Sequence, residues 1–242
     1  MSVYETIFSR CSCRSYDMTP LPEDVLTDIL AEFRALPQLC DDAPLEVEIC
    51  TAAEVSGGVR APHYLVVRGQ GNAHDAENAG FLSELCSLRL TELGYGSVML
   101  GAANTKQKTA IRRQILIAFG KGTEPIKREE KDFKRKNLAE IAVGDDYRLA
   151  AARLAPSGVN KQPWYFIVPQ SGGPLYVYKK IPGIHGNMLR RIAYEFPEFD
   201  MGIALSHIYL AALEQGKGFA FSYENDNAPP APKGFKYMGV VK

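Results

Sequence analysis

The chain has 242 residues, 46% hydrophobic and 23% charged, which is typical of a globular protein that buries a substantial core. Lysine plus arginine and aspartate plus glutamate both number 28, so the net charge favours neither nucleic acid nor a membrane surface as a partner. No apolar run reaches the about 18 residues of a membrane span, and the N-terminus lacks a signal-peptide core, so we expect a cytoplasmic protein.

Helix-like and strand-like segments alternate along the chain. Apolar spacing predicts helices over 2–9, from Pro22, and over 79–93, 147–154 and 201–215, and strands over 45–50, 62–68, 114–120, 164–168 and 175–180. The charged stretch 121–137 has about even odds of being only a solvated linker between the halves. Prolines after Tyr223 predict an irregular surface arm. The interleaved elements predict an α+β fold.

The two halves of the chain echo each other without gaps. Residues 30–49 match 149–168 at an offset of 119, and residues 79–94 match 201–216 at an offset of 122. Two echoes at nearly one offset predict a tandem duplication, with halves at 1–125 and 126–242. The matched pairs are Leu30/Leu149, Ala31/Ala150, Arg34/Arg153, Pro37/Pro156, Pro44/Pro163, Gly80/Gly202, Leu88/Leu210, Glu92/Glu214 and Gly94/Gly216.

A basic segment near the N-terminus is the first candidate for chemistry. Arg10, Ser12 and Arg14 alternate, so in an extended segment all three side chains would point one way. Forked arginine donors beside a hydroxyl suit a phosphate, although a solvated basic turn fits the spacing too. Cys11 and Cys13 lack the matching second pair of a metal site, so no metal is expected.

Two further segments are polar or small-residue loops. Ser157, Asn160 and Gln162 lie in a loop pinned by two prolines, where rigid amides suit the edge of a flat heterocycle. An Asx or Ser turn is the alternative interpretation of that loop. The small residues of 94–102 would let backbone amides approach a ligand closely, or would simply end a helix.

Together these segments resemble the flavin-dependent nitroreductase family. The most specific match is a Pro-Ser-x-x-Asn-x-Gln-Pro-Trp loop at 156–164. The Arg10, Ser12 and Arg14 triplet matches the segment that opens family members. Weaker matches cover most of the remaining chain, at 61–67, 93–96, 115–120 and 134–141.

The resemblance implies a nitroreductase-like α+β fold that binds FMN. The resemblance implies that cations bind the FMN phosphate or the edge of the flavin ring, with Arg14 or Arg60 beside the ring atoms N1 and O2. It also implies that the backbone of 100–102 lies against the ring. The implied cofactor-binding residues are Arg10, Ser12, Arg14, Arg60, Leu100, Gly101, Ala102, Lys134, Lys136, Pro156, Ser157, Asn160 and Gln162.

The chain departs from the family in where its loop lies. Family members are homodimers with each flavin between subunits, and their loop follows the first helices; here the loop occurs only in the second copy. The first copy has Gln38, Asp41 and Ala43 at the aligned positions. The chain therefore resembles such a dimer fused into one polypeptide, with the Arg-Ser-Arg and Lys/Arg segments in the first half. This implies a monomer that acts as a pseudo-dimer, with one composite site and one FMN per chain. Helices 79–93 and 201–215 would then pack together, and a further weak dimer would be compatible with this arrangement.

The implied reaction is a ping-pong transfer carried by the flavin. NADH or NADPH would deliver a hydride, and a nitroaromatic, a quinone or a similar flat acceptor would then take electrons at the same place. No protein residue is implied as a catalytic acid or base. Two alternatives stay open at this point: a non-catalytic flavin-binding or regulatory protein, and a flavin-dependent dehalogenase or flavin-breaking enzyme on the same fold.

Overall fold

The computed structural model describes residues 2–106, 112–181, 196–224 and 227–242. The chain divides into two units, Met1–Asp132 and Phe133–Lys242, a few residues after the boundary expected at 125/126. No helix among the described residues has the length and apolarity that crossing a membrane requires.

In the part of the first unit that the structure describes, three helices accompany a four-stranded antiparallel sheet in the order β1-β3-β6-β4. Its predicted helices and strands are confirmed, although the long helix α3 begins at Asp75 rather than at residue 79. Asp75 is the first helical residue, and its carboxylate fixes the preceding turn by accepting hydrogen bonds from the backbone N–H of Gly71 (2.6 Å) and of Asn72 (3.0 Å). The elements are α1 (Val3–Thr6), α2 (Glu23–Arg34), β1 (Glu46–Thr51), a 3-10 turn (Ala52–Glu54), β2 (Val55–Ser56), β3 (His63–Gly69), α3 (Asp75–Glu92), β4 (Gly96–Leu100), β5 (Asn104–Thr105), β6 (Arg112–Gly120) and a 3-10 turn (Glu130–Asp132).

Among its described residues the second unit has a five-stranded sheet in the order β10-β11-β9-β8-β7 and three helices. Within this sheet β7 runs parallel to β8, and the other described pairs are antiparallel. The elements are α4 (Leu138–Ile141), β7 (Ala142–Val143), α5 (Tyr147–Leu154), a 3-10 turn (Gly158–Asn160), β8 (Trp164–Ile167), β9 (Leu175–Lys180), α6 (Phe196–Glu214), β10 (Phe221–Ser222) and β11 (Phe235–Val241).

The expectation of an irregular arm after Tyr223 holds for residues 227–234 but is wrong from Phe235 onward. Residues Phe235–Val241 form β11, which pairs antiparallel with β9 and lies inside the sheet. The prolines at 229, 230 and 232 all precede the strand, so none removes a donor from its ladder. Met238, Val240 and Val241 are buried, which supplies the apolar contact that holds the strand in place.

The two units share their architecture. The order β1-β3-β6-β4 of the first sheet matches β8-β9-β11-β10 of the second. Helices α3 and α6 both end at a glutamate, and two residues later Gly94 (φ +87°) and Gly216 (φ +64°) adopt the left-handed conformation. The bond that closes each helix is repeated too: Tyr95 N–H to the Leu90 carbonyl at 2.8 Å, and Lys217 N–H to the Ala212 carbonyl at 2.9 Å. This repetition at an offset of 122 residues supports the predicted duplication.

Candidate functional site

The Arg10–Arg14 segment does not form the single exposed row that its spacing predicts. Arg10 is 5% exposed, and its Nε lies 3.4 Å from Oε1 of the fully buried Glu84 on α3. The Arg10 N–H is also still bonded to the Thr6 carbonyl at the end of the first helical turn (2.8 Å). Ser12 is half-buried and Arg14 is exposed. Arg14 is therefore the arginine of the pair that is accessible to an anion.

Segments 10–14 and 94–102 lie against each other in the first unit. Ser12 forms a parallel bridge with Ser97, and the Cys13 N–H donates to the Ser97 carbonyl at 3.0 Å. Gly96 permits this approach, because a Cβ at Gly96 would lie 2.6 Å from the Cβ of Cys13. Two of the three polar segments found in the sequence are thus neighbours.

The other candidates of the first unit lie at or near this segment. Leu100 is buried at the end of β4, Gly101 is half-buried and Ala102 is exposed. Arg60 is exposed as well. Backbone at 101–102 and a cation at Arg60 are therefore available to a ligand.

The loop 157–162 of the second unit is held in an unusual backbone conformation. Val159 (φ +45°), Asn160 (φ +57°) and Gln162 (φ +48°) all lie in the left-handed region. Asparagine tolerates this region, but a β-branched valine there is an outlier. Each such residue costs on the order of 1–2 kcal/mol, so surrounding contacts must stabilise the loop.

Gln162 supplies much of that stabilisation from inside the loop. It is 3% exposed, its Nε2 donates to the Asn160 carbonyl (3.1 Å), and its N–H donates to Oγ of Ser157 (2.8 Å). Pro156 and Ser157 are half-buried, whereas Asn160 is exposed. Three of the four predicted loop residues are therefore at least partly enclosed, and Asn160 is the exposed one.

The Lys134–Lys136 segment is tied to this loop and belongs to the second unit, in agreement with the boundary at 125/126 but not with the first half that the resemblance implied for it. The Lys136 N–H donates to Oε1 of Gln162 (2.8 Å), and Nζ of Lys136 donates to the carbonyls of Lys161 (3.2 Å) and Gln162 (3.0 Å). Burial, followed by the nearby Lys180, lowers the pKa of Lys136. Because its ammonium binds loop carbonyls, Lys136 supports the loop, while Lys134 is exposed.

Arg135 is a site residue that the sequence interpretation missed. Its Nε donates to the carbonyls of Leu154 (3.2 Å) and Ala155 (3.0 Å), and its Nη1 donates to Oδ1 of Asn160 (3.0 Å). Asn160 in turn donates from Nδ2 to the Lys134 carbonyl (2.8 Å). The available signal was the position of Arg135 inside the matched Lys-Arg-Lys segment.

Asp200 of α6 is a second residue that was missed. It is buried, and its Oδ1 accepts a 2.8 Å hydrogen bond from the Gly158 N–H. Burial raises the pKa of Asp200 to about 7, although the bond from Gly158 opposes the rise. The second sequence echo, extended towards the N-terminus, would have identified this position, because Asp200 aligns with another polar residue, Asn78.

The groups present suit FMN in part. The loop of the second unit offers amide and hydroxyl groups beside the exposed cation Lys134, and the first unit by itself has the exposed cation Arg14. These are the donor types that bind a phosphate and a ring edge. Arg10 suits a phosphate less well, because Glu84 already offsets its charge. Glu124 also accepts hydrogen bonds from the backbone N–H groups of Arg14 and of Ser15.

The fold is that of the nitroreductases. A crystal structure described as "a putative nitroreductase" from Thermotoga maritima matches with a TM-score of 0.69 and 21% identity, covering 100% of this chain and 93% of that chain. A nitroreductase family protein from Clostridium difficile is 19% identical with a TM-score of 0.46, covering 58% of this chain and 96% of its own. An FMN-dependent nitroreductase from Clostridium difficile is 18% identical with a TM-score of 0.39, at 55% and 96% coverage.

The family itself follows from the sequence match. The family model described as "Putative TM nitroreductase" matches residues 2–212, and the chain therefore belongs to that family. No curated protein matches the chain. The resemblance to nitroreductases and the α+β fold that it implied are confirmed.

Proposed function

We propose that this chain is an FMN-dependent oxidoreductase that uses NADH or NADPH to reduce nitroaromatics, quinones or similar flat acceptors. Membership of a nitroreductase family supports this class of reaction. The observation that carries the proposal is the loop 157–162, where three non-glycine residues are held in the left-handed region. Backbone strain of this kind persists where the surroundings enforce it, and it is concentrated at binding and catalytic sites.

The proposed residue roles follow from exposure and charge. In the first unit Arg14 would attract the FMN phosphate, with the hydroxyl of Ser12 as a further donor. In the second unit Lys134 would add an exposed positive charge beside the loop. Asn160 is exposed, and its Nδ2, which donates one N–H to the Lys134 carbonyl, would offer its other N–H to the edge of the ring system. Lys136 and Gln162 would act indirectly, because their polar groups are bonded to the loop itself.

The remaining candidates have simpler proposed roles. Arg60 would place a positive charge by the ring, and 100–102 would offer backbone rather than side chains. When bound, FMN supplies the hydride chemistry, so the chain needs no acid–base pair of its own. Binding of one FMN per chain by a monomer remains a prediction from the sequence.

A flavin spectrum followed by reduction tests the proposal. Purified protein incubated with FMN and passed through a desalting column should retain the flavin absorbance. Under anaerobic conditions NADH or NADPH should bleach it, and a quinone or nitroaromatic should restore it. Retained flavin that neither nucleotide bleaches would instead indicate a non-catalytic flavin-binding protein. Failure to retain any flavin would contradict both functions.

A further inference from the structure

One hydrogen bond from a loop to a helix is repeated in both units. In the first unit the Leu39 N–H donates to Oδ1 of Asn78 on α3 at 2.7 Å. In the second unit the Gly158 N–H donates to Oδ1 of Asp200 on α6 at 2.8 Å. The donors are 119 residues apart and the acceptors 122 residues apart, which are the offsets of the two sequence echoes. The two acceptor side chains therefore occupy equivalent places.

The equivalent side chains differ in what they can donate. The amide of Asn78 also donates from Nδ2 to Oε1 of Gln38 (3.0 Å) and to the carbonyls of Cys40 (3.3 Å) and Ala43 (2.7 Å). An ionised aspartate can only accept hydrogen bonds, whereas a protonated one can also donate. The second unit therefore has, in place of a neutral amide that binds the loop, a carboxyl group whose hydrogen bonding depends on whether it is protonated.

We propose that Asp200 is a positioning residue that holds the strained loop 157–162 through the main-chain N–H of Gly158. The strain gives this contact its importance, because the left-handed residues Val159 and Asn160 directly follow the glycine that Asp200 holds. In linking this loop to the flavin, the inference rests on the proposed function. The positioning of the loop itself does not.

Burial is the main influence on the pKa of Asp200. Burial raises the pKa of Asp200 and the Gly158 bond lowers it, with no charged neighbour among the causes within the described residues. Among the described residues, the elements packed most closely on α6 are α5, β9 and the turn 158–160. Their charged groups are Arg148, which is bonded to Asp146; Lys179, which is bonded to Glu198 of α6; the half-buried Arg153; and the exposed Lys161 and Lys180. On α6 itself, His207 contacts the Ala151 carbonyl.

The experiment uses two reporters that do not require activity. Lys161 is exposed within the loop and offers a trypsin site, and Trp164, the only tryptophan, is buried two residues beyond Gln162. Asp200→Ala should speed cleavage after Lys161 by about 10-fold, the effect of losing one buried hydrogen bond. Asp200→Asn, which keeps the acceptor, should restore slow cleavage.

The pH profile separates this role from a merely structural one. Because Asp200 is harder to ionise when the loop is closed, opening should become easier as the pH rises toward about 7. Acrylamide quenching of Trp164 should therefore increase with pH in the parent protein and stay flat in Asp200→Asn. Asn78→Asp, the matched exchange in the first unit, should leave the Trp164 profile unchanged.

Each result then supports or overturns the inference. Unchanged cleavage in Asp200→Ala, or the same pH profile in the parent and in Asp200→Asn, would overturn it. If Asp200→Ala does not fold, the isosteric asparagine variant still decides through its pH profile. FMN retention by the parent protein is measured separately. If the parent protein binds no FMN but the cleavage rate and the Trp164 profile still change in the Asp200 variants as expected, the proposed function fails and the positioning role of Asp200 stands.

Discussion

Arg135 and Asn160 are joined by a 3.0 Å hydrogen bond from Nη1 to Oδ1. The same guanidinium also bonds the carbonyls of Leu154 and Ala155, where α5 ends and the loop begins. One planar side chain thus fixes both the start of the loop and its exposed amide. A lysine could not reproduce this arrangement, because it lacks the rigid fork of donors.

The first prediction concerns Asn160 and its aligned counterpart Asp41. Asn160→Ala removes the acceptor of Arg135 and the donor to the Lys134 carbonyl, so FMN affinity should fall by about 10-fold or more. The exposed Asp41 occupies the matching place in the first unit, and Asp41→Ala should leave affinity unchanged. FMN titration with ultrafiltration measures both affinity and stoichiometry.

The stoichiometry in that titration should be one FMN per chain. The first-unit loop presents Asp41 and Asp42, and like charges disfavour an anionic ligand there. A ratio near two, or an affinity that responds to Asp41 rather than to Asn160, would falsify the prediction of a single site.

The second prediction separates Arg14 from Arg10. Arg14 is exposed, so Arg14→Ala should weaken FMN by about 10-fold and leave riboflavin, which has no phosphate, unaffected. Arg10→Ala should instead lower the free energy of unfolding by on the order of 3 kcal/mol, because it removes a partner of the buried Glu84. Calorimetric binding of the two flavins and urea unfolding distinguish these effects. Equal losses for both flavins in Arg14→Ala would exclude a phosphate contact.

The sequence predicts the fold better than it predicts the side-chain environment of the site. Periodicity finds α5 at its observed bounds, because 147–154 has a clear apolar face and Asp146 caps it. It misses β11, because nearby prolines mask a strand whose pairing with β9 is long-range. The buried state of Arg10 is equally hidden, since it depends on Glu84, which is distant along the chain. The same holds for Asp200, whose role appears only when α6 meets the loop.

The third prediction tests the close approach of Gly96 to Cys13. A Cβ added at Gly96 would lie 2.6 Å from the Cβ and 2.7 Å from Sγ of Cys13, and Cys13 is fully buried. Gly96→Ala should therefore destabilise the protein by about 1–3 kcal/mol through overpacking. Gly218→Ala is the matched control, because no atom lies within 4 Å of a Cβ at that position. Thermal unfolding that shifts equally in both variants would contradict this packing argument.

The fourth prediction is a pH dependence of stability that involves His63. The Leu21 N–H donates to Nε2 of His63 at 2.8 Å, and burial lowers the pKa of His63 from its ordinary 6.5. Below pH 6.5 His63 binds a proton more readily in the unfolded chain than in the folded one, because its pKa is lower in the folded state. The free energy of unfolding should therefore fall as the pH drops. Urea unfolding at several pH values from about 5 to 8 measures this slope.

Two variants should change that slope in opposite directions. His63→Gln removes the group that loses stability in acid, so its unfolding free energy should fall less than that of the parent as the pH drops. Asp200→Asn removes a carboxyl whose raised pKa makes stability fall as the pH rises from the ordinary 3.8 toward about 7. Its stability should therefore drop more steeply in acid than that of the parent. If both variants keep the parental slope, neither buried group contributes to the pH dependence of folding.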